Sequence, residues 1–252
     1  ETEKLNALIA SDSLPDLITL GYWEPQVNQM IEENMVYALN ELADDYDAYF
    51  WQVTDADVVN WYTMDDGNIY GYPCSTVTPK QVKEHDDIIS NQTFLVRKDI
   101  YEAIGSPDMT TPEGFKAAVE KAAEMFPEVN GEKLIPVGSH VFDNQGNVSF
   151  DKYLMNFLAV PWEKDGKYYD RYTDPEYVIW LKMFRELGEE GLLANDIFVD
   201  TRIQMEEKLA KGRYFCMLYQ YSDTISQQKA LYENDPDSIH LEDQPNTQTQ
   251  KD

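Results

Sequence analysis

Residues 92–126 read QTFLVRKDIYEAIGSPDMTTPEGFKAAVEKAAEMF, and this stretch decides the predicted fold class. Its first six residues predict a strand, and Gly105 closes the short helix that follows. Thr111 and Pro112 predict the start of a longer helix, because threonine caps a first turn and proline fits the first helical position. The apolar run at 132–138 then predicts another strand. A strand, two helices and a strand in this order are typical of an α/β fold.

The same alternation continues on both sides of this stretch. Asp174 and Pro175 repeat the cap-then-proline start of a helix, and RYFCMLYQY at 213–221 predicts a buried strand. Before it, LITL at 17–20 predicts a short strand of the kind found in parallel sheets. Asp165-Gly166 predicts the turn of a hairpin. We therefore expect an α/β protein with mainly parallel sheets.

The composition excludes several classes of protein. The chain of 252 residues has a net charge of −27, whereas a protein that binds nucleic acid needs positive charge to neutralise phosphates. No stretch approaches 18 consecutive apolar residues, so no membrane-spanning segment is predicted. Cys74 and Cys216 are predicted to be buried free thiols. The three histidines have no metal-ligand spacing, and we predict no metal site and no cofactor.

Catalytic motifs are missing from the sequence. It contains no nucleophile elbow, no zinc-protease motif and no phosphate loop. Glu24 and Asp223 both follow predicted strand ends, so a carboxylate pair for glycoside hydrolysis stays open as an alternative. DNQGN at 143–147 has the wrong spacing for a calcium loop and predicts a hairpin or turn. The sequence favours a protein that is not an enzyme.

Aromatic residues make up 13% of the chain, and several stand beside polar residues at predicted strand ends. In open α/β sheets, ligands bind beyond the carboxyl ends of strands. DLITLGYWE at 16–24 and YQYSD at 219–223 place rings, carboxylates and an amide there, which suits the apolar faces and hydroxyls of a sugar. Trp51, Trp61 and Trp180 lie at helical spacing and are predicted to be core.

Four segments, in order, resemble a known family. They are EKLNALIASDSLPDLITLGYW at 3–23, DDGNIYGYP at 65–73, TFLVRKDIYEAIGSPDMTTPEGFKAAVEKA at 93–122 and EEKLAKGRYFCMLYQYSDT at 206–224. Together they resemble the family 1 extracellular solute-binding proteins, which are the receptors of bacterial ABC sugar importers. The resemblance looks closest to the lipoprotein-type members of Gram-positive bacteria.

The resemblance implies two α/β lobes of the type II periplasmic-binding-protein architecture, which close on a ligand. It implies an N-terminal lobe at 1–98, a hinge crossing at 99–111, a C-terminal lobe at 112–238, and a return crossing with a loose tail at 239–252. The chain lacks the segments that would match the family's first strand, signal peptide and lipid-bearing cysteine. We therefore expect it to be a portion of a longer, lipid-anchored receptor.

The function implied by the resemblance is capture of a carbohydrate, an oligosaccharide rather than a monosaccharide, in a cleft between the lobes. The receptor would deliver it to ABC transporter permease subunits at the extracellular face of the membrane. A ligand sensor or an adhesion module of the same fold stays open as an alternative. The predicted ligand-binding residues are Tyr22, Trp23, Glu24, Tyr72, Ser75, Tyr153, Trp162, Tyr219, Gln220, Tyr221 and Asp223.

Overall fold

The computed structural model describes residues 2–21, 24–74, 91–139, 141–142, 146–147, 149–234 and 241–243. The chain divides into two compact units, Glu1–Asp87 and Ile88–Asp252. This division falls before the predicted hinge at 99–111. The predicted lobe and hinge bounds stay a prediction. The strand that begins at Gln92 falls within the predicted N-terminal lobe at 1–98, whereas in the structure it pairs with a strand of the second unit.

The described part of the first unit is helical. The Asp55 carboxylate caps its last helix by accepting hydrogen bonds from the backbone N–H groups of Asp57 and Val58. Asn34, two residues past the end of the second helix, has a φ of 56°, a left-handed conformation that asparagine tolerates after a helix. The helices are α1 (Thr2–Ala10), α2 (Gln26–Glu32), α3 (Leu39–Tyr46), α4 (Phe50–Val53) and α5 (Ala56–Tyr62).

The predicted strand at 17–20 is wrong. These residues form no strand with any described segment, and the Leu17 side chain is 89% exposed. Thr63 and Ile69, which flank the turn at 64–68, pair through a single isolated antiparallel bridge. A strand exists only when a second segment accepts and donates its backbone hydrogen bonds, and an apolar run does not reveal whether that partner is present.

A mixed four-stranded sheet forms the centre of the second unit, in the order β10-β1-β9-β4. Strand β9 pairs antiparallel with β1 and parallel with β4, and β10 pairs antiparallel with β1. The prediction of mainly parallel sheets is therefore wrong for the described residues. The four strands are β1 (Gln92–Arg97), β4 (Ile135–Ser139), β9 (Tyr214–Gln220) and β10 (Leu241–Asp243).

Within the described ranges, three short hairpins lie outside this sheet. One turns at Asp165 and Gly166, whose φ angles are 55° and 71°, which confirms the predicted Asp-Gly turn. In another, residues 141–142 pair antiparallel with residues 146–147, which agrees with the hairpin predicted at 143–147. Residues 143–145 lie outside the described residues. The hairpin strands are β2 (Glu128–Val129), β3 (Glu132–Lys133), β5 (Val141–Phe142), β6 (Gly146–Asn147), β7 (Glu163–Lys164) and β8 (Lys167–Tyr168).

The helices of the second unit begin where their caps predicted. Thr111 Oγ1 accepts from the backbone N–H of Gly114, and the Asp174 carboxylate accepts from those of Glu176 and Tyr177. The helices are α6 (Lys98–Ala103), α7 (Pro112–Met125), α8 (Leu154–Phe157), α9 (Pro175–Glu189), α10 (Arg202–Ala210) and α11 (Ile225–Asn234). A π-helical turn (Ser149–Tyr153) and two 3₁₀ turns (Arg171–Thr173 and Tyr221–Thr224) join them.

The main core lies between the sheet and helices α7, α8 and α9. Trp180 on α9 is 1% exposed, and its indole packs within 5.5 Å of the Phe115 ring and 6.0 Å of the Phe94 ring, measured between centroids. Trp180 is therefore core, as predicted. Trp51 and Trp61 are not, since they are 39% and 83% exposed. Helical spacing predicts a shared face, but not whether another element covers that face.

The loop between α10 and β9 is held by a buried arginine. Arg97 donates from Nη1 to the Gly212 carbonyl at 2.6 Å, and its guanidinium also pairs with the Asp99 carboxylate. Gly212 has a φ of 66°, and a Cβ there would lie 2.9 Å from Leu231 Cδ1 and 3.0 Å from Arg97 Nη1. Only glycine fits this turn without strain.

An ion-pair clamp fixes the loop that precedes α10. Lys208 Nζ bonds to the carboxylates of Asp196 and Asp200, the latter at 2.6 Å. Between these two aspartates the side chains of Phe198 and Val199 are exposed. The Lys208 ammonium lowers the pKa of Asp196 below its ordinary value.

None of the described helices is both long enough and apolar enough to cross a membrane. Both cysteines are free thiols. Cys216 is buried, as predicted, and burial raises its pKa. Cys74 is exposed, contrary to prediction.

Candidate functional site

Three strands of the central sheet bring polar residues to one end of it. Strand β9 ends at Gln220, and β1, which runs the opposite way, begins at Gln92 directly beside it. The parallel strand β4 ends at Ser139, opposite Leu218. We call this the Gln220 end of the sheet. It is the place where β9 and β4 present their carboxyl ends, which the sequence predicted for a ligand site.

The turn after β9 is fixed to the start of β1. The backbone N–H of Tyr221 donates to the Asn91 carbonyl at 2.7 Å, and that of Ser222 donates to Asn91 Oδ1 at 2.9 Å. The buried Thr224 hydroxyl donates to the Tyr221 carbonyl at 2.7 Å. These bonds hold the Tyr221 ring at the Gln220 end with 38% of its surface exposed. Gln220 itself is half-buried there.

Asp223 lies next to this turn and is already paired. Arg202 Nη2 approaches its carboxylate at 3.4 Å, and Arg202 Nε donates to Glu206 at 2.8 Å. These carboxylates, Glu206 first, raise the pKa of the Arg202 guanidinium. Asp223 can still accept a ligand hydroxyl through its partly exposed side chain, and it shares the Arg202 guanidinium with Glu206.

Tyr153 and Tyr219, two of the predicted ligand residues, lie in the core. Tyr219 is 0% exposed and packs with Leu95, Met205 and Met217 under α10, and burial raises its pKa. Tyr153 is buried against the main core. Residues of a strand point to alternate faces, and both faces of β9 are covered, so a ring placed before the strand end is enclosed.

The Gln220 end also carries a cluster that the sequence prediction missed. Asn156 on α8 donates from Nδ2 to Gln92 Oε1 and accepts at Oδ1 from Arg171 Nη2, at 2.8 Å. The Arg171 guanidinium carbon lies 4.2 Å from the centroid of the Trp162 ring. We call Gln92, Asn156, Trp162 and Arg171 the Arg171 cluster. Its signal in the sequence was a lone arginine among the rings of KYYDRY at 167–172.

Trp162 is the one predicted ligand residue that projects from this cluster. One face of its indole covers Arg171, while 67% of the side chain is exposed. The indole stands immediately before the β7–β8 hairpin, whose Lys164 ammonium lies 3.6 Å from the centroid of the Tyr169 ring. A flat apolar ring held over a guanidinium, with two amides beneath, offers both a stacking surface and hydrogen-bonding groups.

Two tyrosines, the exposed Tyr172 and the buried Tyr177, lie near the Arg171 guanidinium. The exposed Tyr172 donates its hydroxyl to Asp151 at 2.6 Å, and this bond raises the Tyr172 pKa. Tyr177 donates to the Phe150 carbonyl at 2.8 Å, and burial raises its pKa to about 12. Both tyrosines are therefore neutral hydroxyl donors at neutral pH.

The predicted residues of the first unit are described only in part. Glu24 is half-buried, and its backbone N–H donates to the Gly21 carbonyl at 3.0 Å. The Tyr72 hydroxyl accepts from the Asp55 N–H at 3.1 Å, and its ring packs edge-on against Phe50. Tyr22, Trp23 and Ser75 lie outside the described residues.

No arrangement of three or more histidine, cysteine, aspartate or glutamate side chains within the described residues is suited to hold a metal ion.

No protein-family model matches the chain, and no curated protein matches its sequence. Solved structures do match its fold. It is similar to FusA of S. pneumoniae, an ABC-transporter substrate-binding protein solved with kestose. The TM-score is 0.61 at 20% identity, over 89% of this chain and 47% of that one.

Two further solved structures support the same fold. The alginate-binding protein AlgQ2, solved without calcium ion, matches with a TM-score of 0.59 at 18% identity, over 95% of this chain and 48% of that one. A sugar transporter from Arthrobacter chlorophenolicus A6 with bound laminaribiose matches with a TM-score of 0.53 at 13% identity, over 90% and 53%.

The fold is therefore that of the substrate-binding proteins of ABC transporters, which are of the two-lobe type. This confirms, at the level of the fold, the family resemblance found in the sequence. The chain spans about half the length of the structures that it matches.

Proposed function

We propose that this chain is part of an extracellular solute-binding receptor that captures an oligosaccharide and delivers it to an ABC importer. The proposal rests on the position of Trp162, whose exposed indole lies over Arg171 at the Gln220 end of the sheet. The fold supports it, because FusA was solved with kestose and the Arthrobacter protein with laminaribiose.

The chemistry of the Arg171 cluster suits a sugar. The C–H face of a pyranose or furanose is flat and apolar, and an exposed indole removes that face from water without losing a hydrogen bond. Hydroxyls at the rim of the sugar need donors and acceptors in fixed positions, and the amides of Gln92 and Asn156 are fixed by their mutual bond. Tyr221 adds a second partly exposed ring at the same end of the sheet.

Ligand-binding residues are proposed for each unit separately. In the second unit they are Trp162, Gln220, Tyr221 and Asp223. In the first unit they are Tyr22, Trp23, Glu24, Tyr72 and Ser75, which the family resemblance supports. Tyr153 and Tyr219 are not proposed to contact the ligand, since both are buried in the core.

The finer parts of the proposal follow from the family resemblance. We place the parent protein at the extracellular face of a Gram-positive cell membrane, held there by a lipid anchor. Its partners would be the permease subunits of an ABC transporter. Its action is binding and release, with no chemical step on the sugar.

Isothermal titration calorimetry on this chain tests the proposal. The panel is kestose, laminaribiose, maltotriose and an alginate trisaccharide, with glycerol as a small polyol control. We expect one saccharide to bind with a Kd in the micromolar range or tighter, about −8 kcal/mol. No binding by any saccharide at millimolar concentration would contradict the proposal.

Two companion measurements separate the alternatives. Small-angle scattering with and without the bound saccharide should show a smaller radius of gyration for a transport receptor, because its lobes close on the ligand. A sensor or adhesion module that does not close would bind without this change. Chromatography of the saccharide after incubation tests the hydrolase alternative, for which shortened products would be decisive.

A further inference from the structure

Arg171 is a buried cation that has no carboxylate partner among the residues that the structure describes. Its side chain is 4% exposed, and within the described residues the only hydrogen bond of its guanidinium runs from Nη2 to Asn156 Oδ1. Its Nε is buried and makes no hydrogen bond. A buried charged donor that has lost water and gained no acceptor costs free energy, so its retention needs a reason.

The chain has more than enough acidic residues to supply a carboxylate partner for Arg171. The chain has 47 acidic residues against 20 basic ones. The two carboxylates nearest in sequence are used elsewhere: Asp170 accepts from the Tyr172 N–H, and Asp174 caps α9. Each of the other four arginines has a carboxylate within 3.0 Å, in the pairs Arg97–Asp99, Arg185–Glu189, Arg202–Glu206 and Arg213–Glu132.

The surroundings of Arg171 are aromatic. The Trp162 indole covers the guanidinium, and the charged and titratable groups that bear on it are the hydroxyls of Tyr168, Tyr172 and Tyr177. Tyr168 and Tyr172 are exposed. Burial lowers the pKa of Arg171, so an anion beside it would restore the stabilisation of its charge that water otherwise supplies.

We propose that Arg171 binds the carboxylate of an acidic sugar, so that the ligand is an oligosaccharide containing a uronate unit. This proposal rests on the proposed function and names its substrate class. A guanidinium matches a carboxylate geometrically through two parallel N–H groups, and Nε supplies a donor that no described residue uses. The Trp162 indole beside the guanidinium stacks on the sugar ring that carries the carboxylate.

Calorimetry with matched saccharide pairs tests this proposal. Each pair has one acidic and one neutral member of equal length: trigalacturonate with its methyl ester, and trimannuronate with mannotriose. We expect the acidic member of at least one pair to bind at least about tenfold more tightly, as a charge-assisted hydrogen bond predicts.

Two arginine variants test whether Arg171 causes the preference for the acidic saccharide. Arg171→Gln removes the charge and keeps an amide, and it should abolish the preference for the acidic member. Arg185→Gln removes an equal charge from the exposed face of α9, where Arg185 pairs with Glu189, and it should leave the preference intact. If Arg171→Gln does not fold, the preference of the unmodified chain across the matched pairs decides the question.

The outcomes separate this inference from the proposed function. Neutral members that bind as tightly as acidic ones, in every pair that binds, would overturn the uronate proposal and leave the receptor proposal standing. An acidic preference that is the same in folded Arg171→Gln would overturn the assignment to Arg171. If no saccharide of these pairs or of the earlier panel binds, both proposals fail.

Discussion

Replacing Trp162 by alanine should separate ligand binding from stability. The side chain is 67% exposed, so the variant loses only the buried third of the ring and its contact with Arg171. A cation–π contact at a partly exposed site is worth about 1 kcal/mol, and the melting temperature should fall by only a few degrees. A sugar ring that covers the free face would remove about 80 Å² of apolar surface from water, or about 2 kcal/mol.

The expected loss of affinity is therefore about thirtyfold. It is measured by isothermal titration calorimetry with the saccharide that binds most tightly to the unmodified chain, and stability is measured by scanning calorimetry on the same samples. Tyr232→Ala is the control, since it removes an exposed ring from α11 in the same unit, away from the Arg171 cluster. It should change neither quantity appreciably.

Two results would refute this reasoning. An unaltered affinity in a folded Trp162→Ala protein would remove the indole from the ligand site. A loss of stability above about 3 kcal/mol, as for a core aromatic, would show that the ring is mainly structural.

The remaining predictions concern stability. Gly212→Ala should destabilise the protein more than Gly166→Ala, because both have positive φ, costing about 1–2 kcal/mol, but only the Gly212 Cβ would meet other atoms; equal shifts in urea midpoint would contradict this. Trp180→Ala should cost about 3–5 kcal/mol in urea denaturation, and a cost under about 1 kcal/mol would show that the core is not packed around it. Lys208 lowers the Asp196 pKa, so their ion pair stabilises the fold above the ordinary carboxyl pKa, and this contribution is lost as pH falls through the lowered value. The difference in melting temperature between the unmodified chain and Lys208→Met should therefore shrink between about pH 5 and pH 3; a constant difference would count against the pair.

The family resemblance and the structural matches agree on the fold because they rest on the same feature of the chain. Strands and helices alternate through the second unit in the order that the sequence predicted, from β1 through α11. What differs is the direction of pairing, since β1 lies antiparallel between β9 and β10. Helix and strand patterns carry no information on which strands become neighbours, so neither the order of the elements nor the apolar run at 17–20 could fix the direction of pairing.

The sequence by itself determined the features whose causes are local. Thr111 and Asp174 cap their helices because each side chain reaches backbone N–H groups two or three residues ahead. The Asp165-Gly166 turn forms because both residues tolerate positive φ. Such features need no distant partner, and each was predicted at the position where the structure has it.

Only the tertiary structure decided which rings are open and which charges are paired. Tyr219 and Tyr221 are two residues apart on one strand end, yet the first is enclosed under α10 and the second is exposed. Arg171 lies 15 residues from Asn156 and farther still from Gln92, and the cluster exists only because α8 packs beside the start of β1. Burial and charge pairing are properties of segments brought together by folding, and no local pattern in the sequence specifies which segments meet.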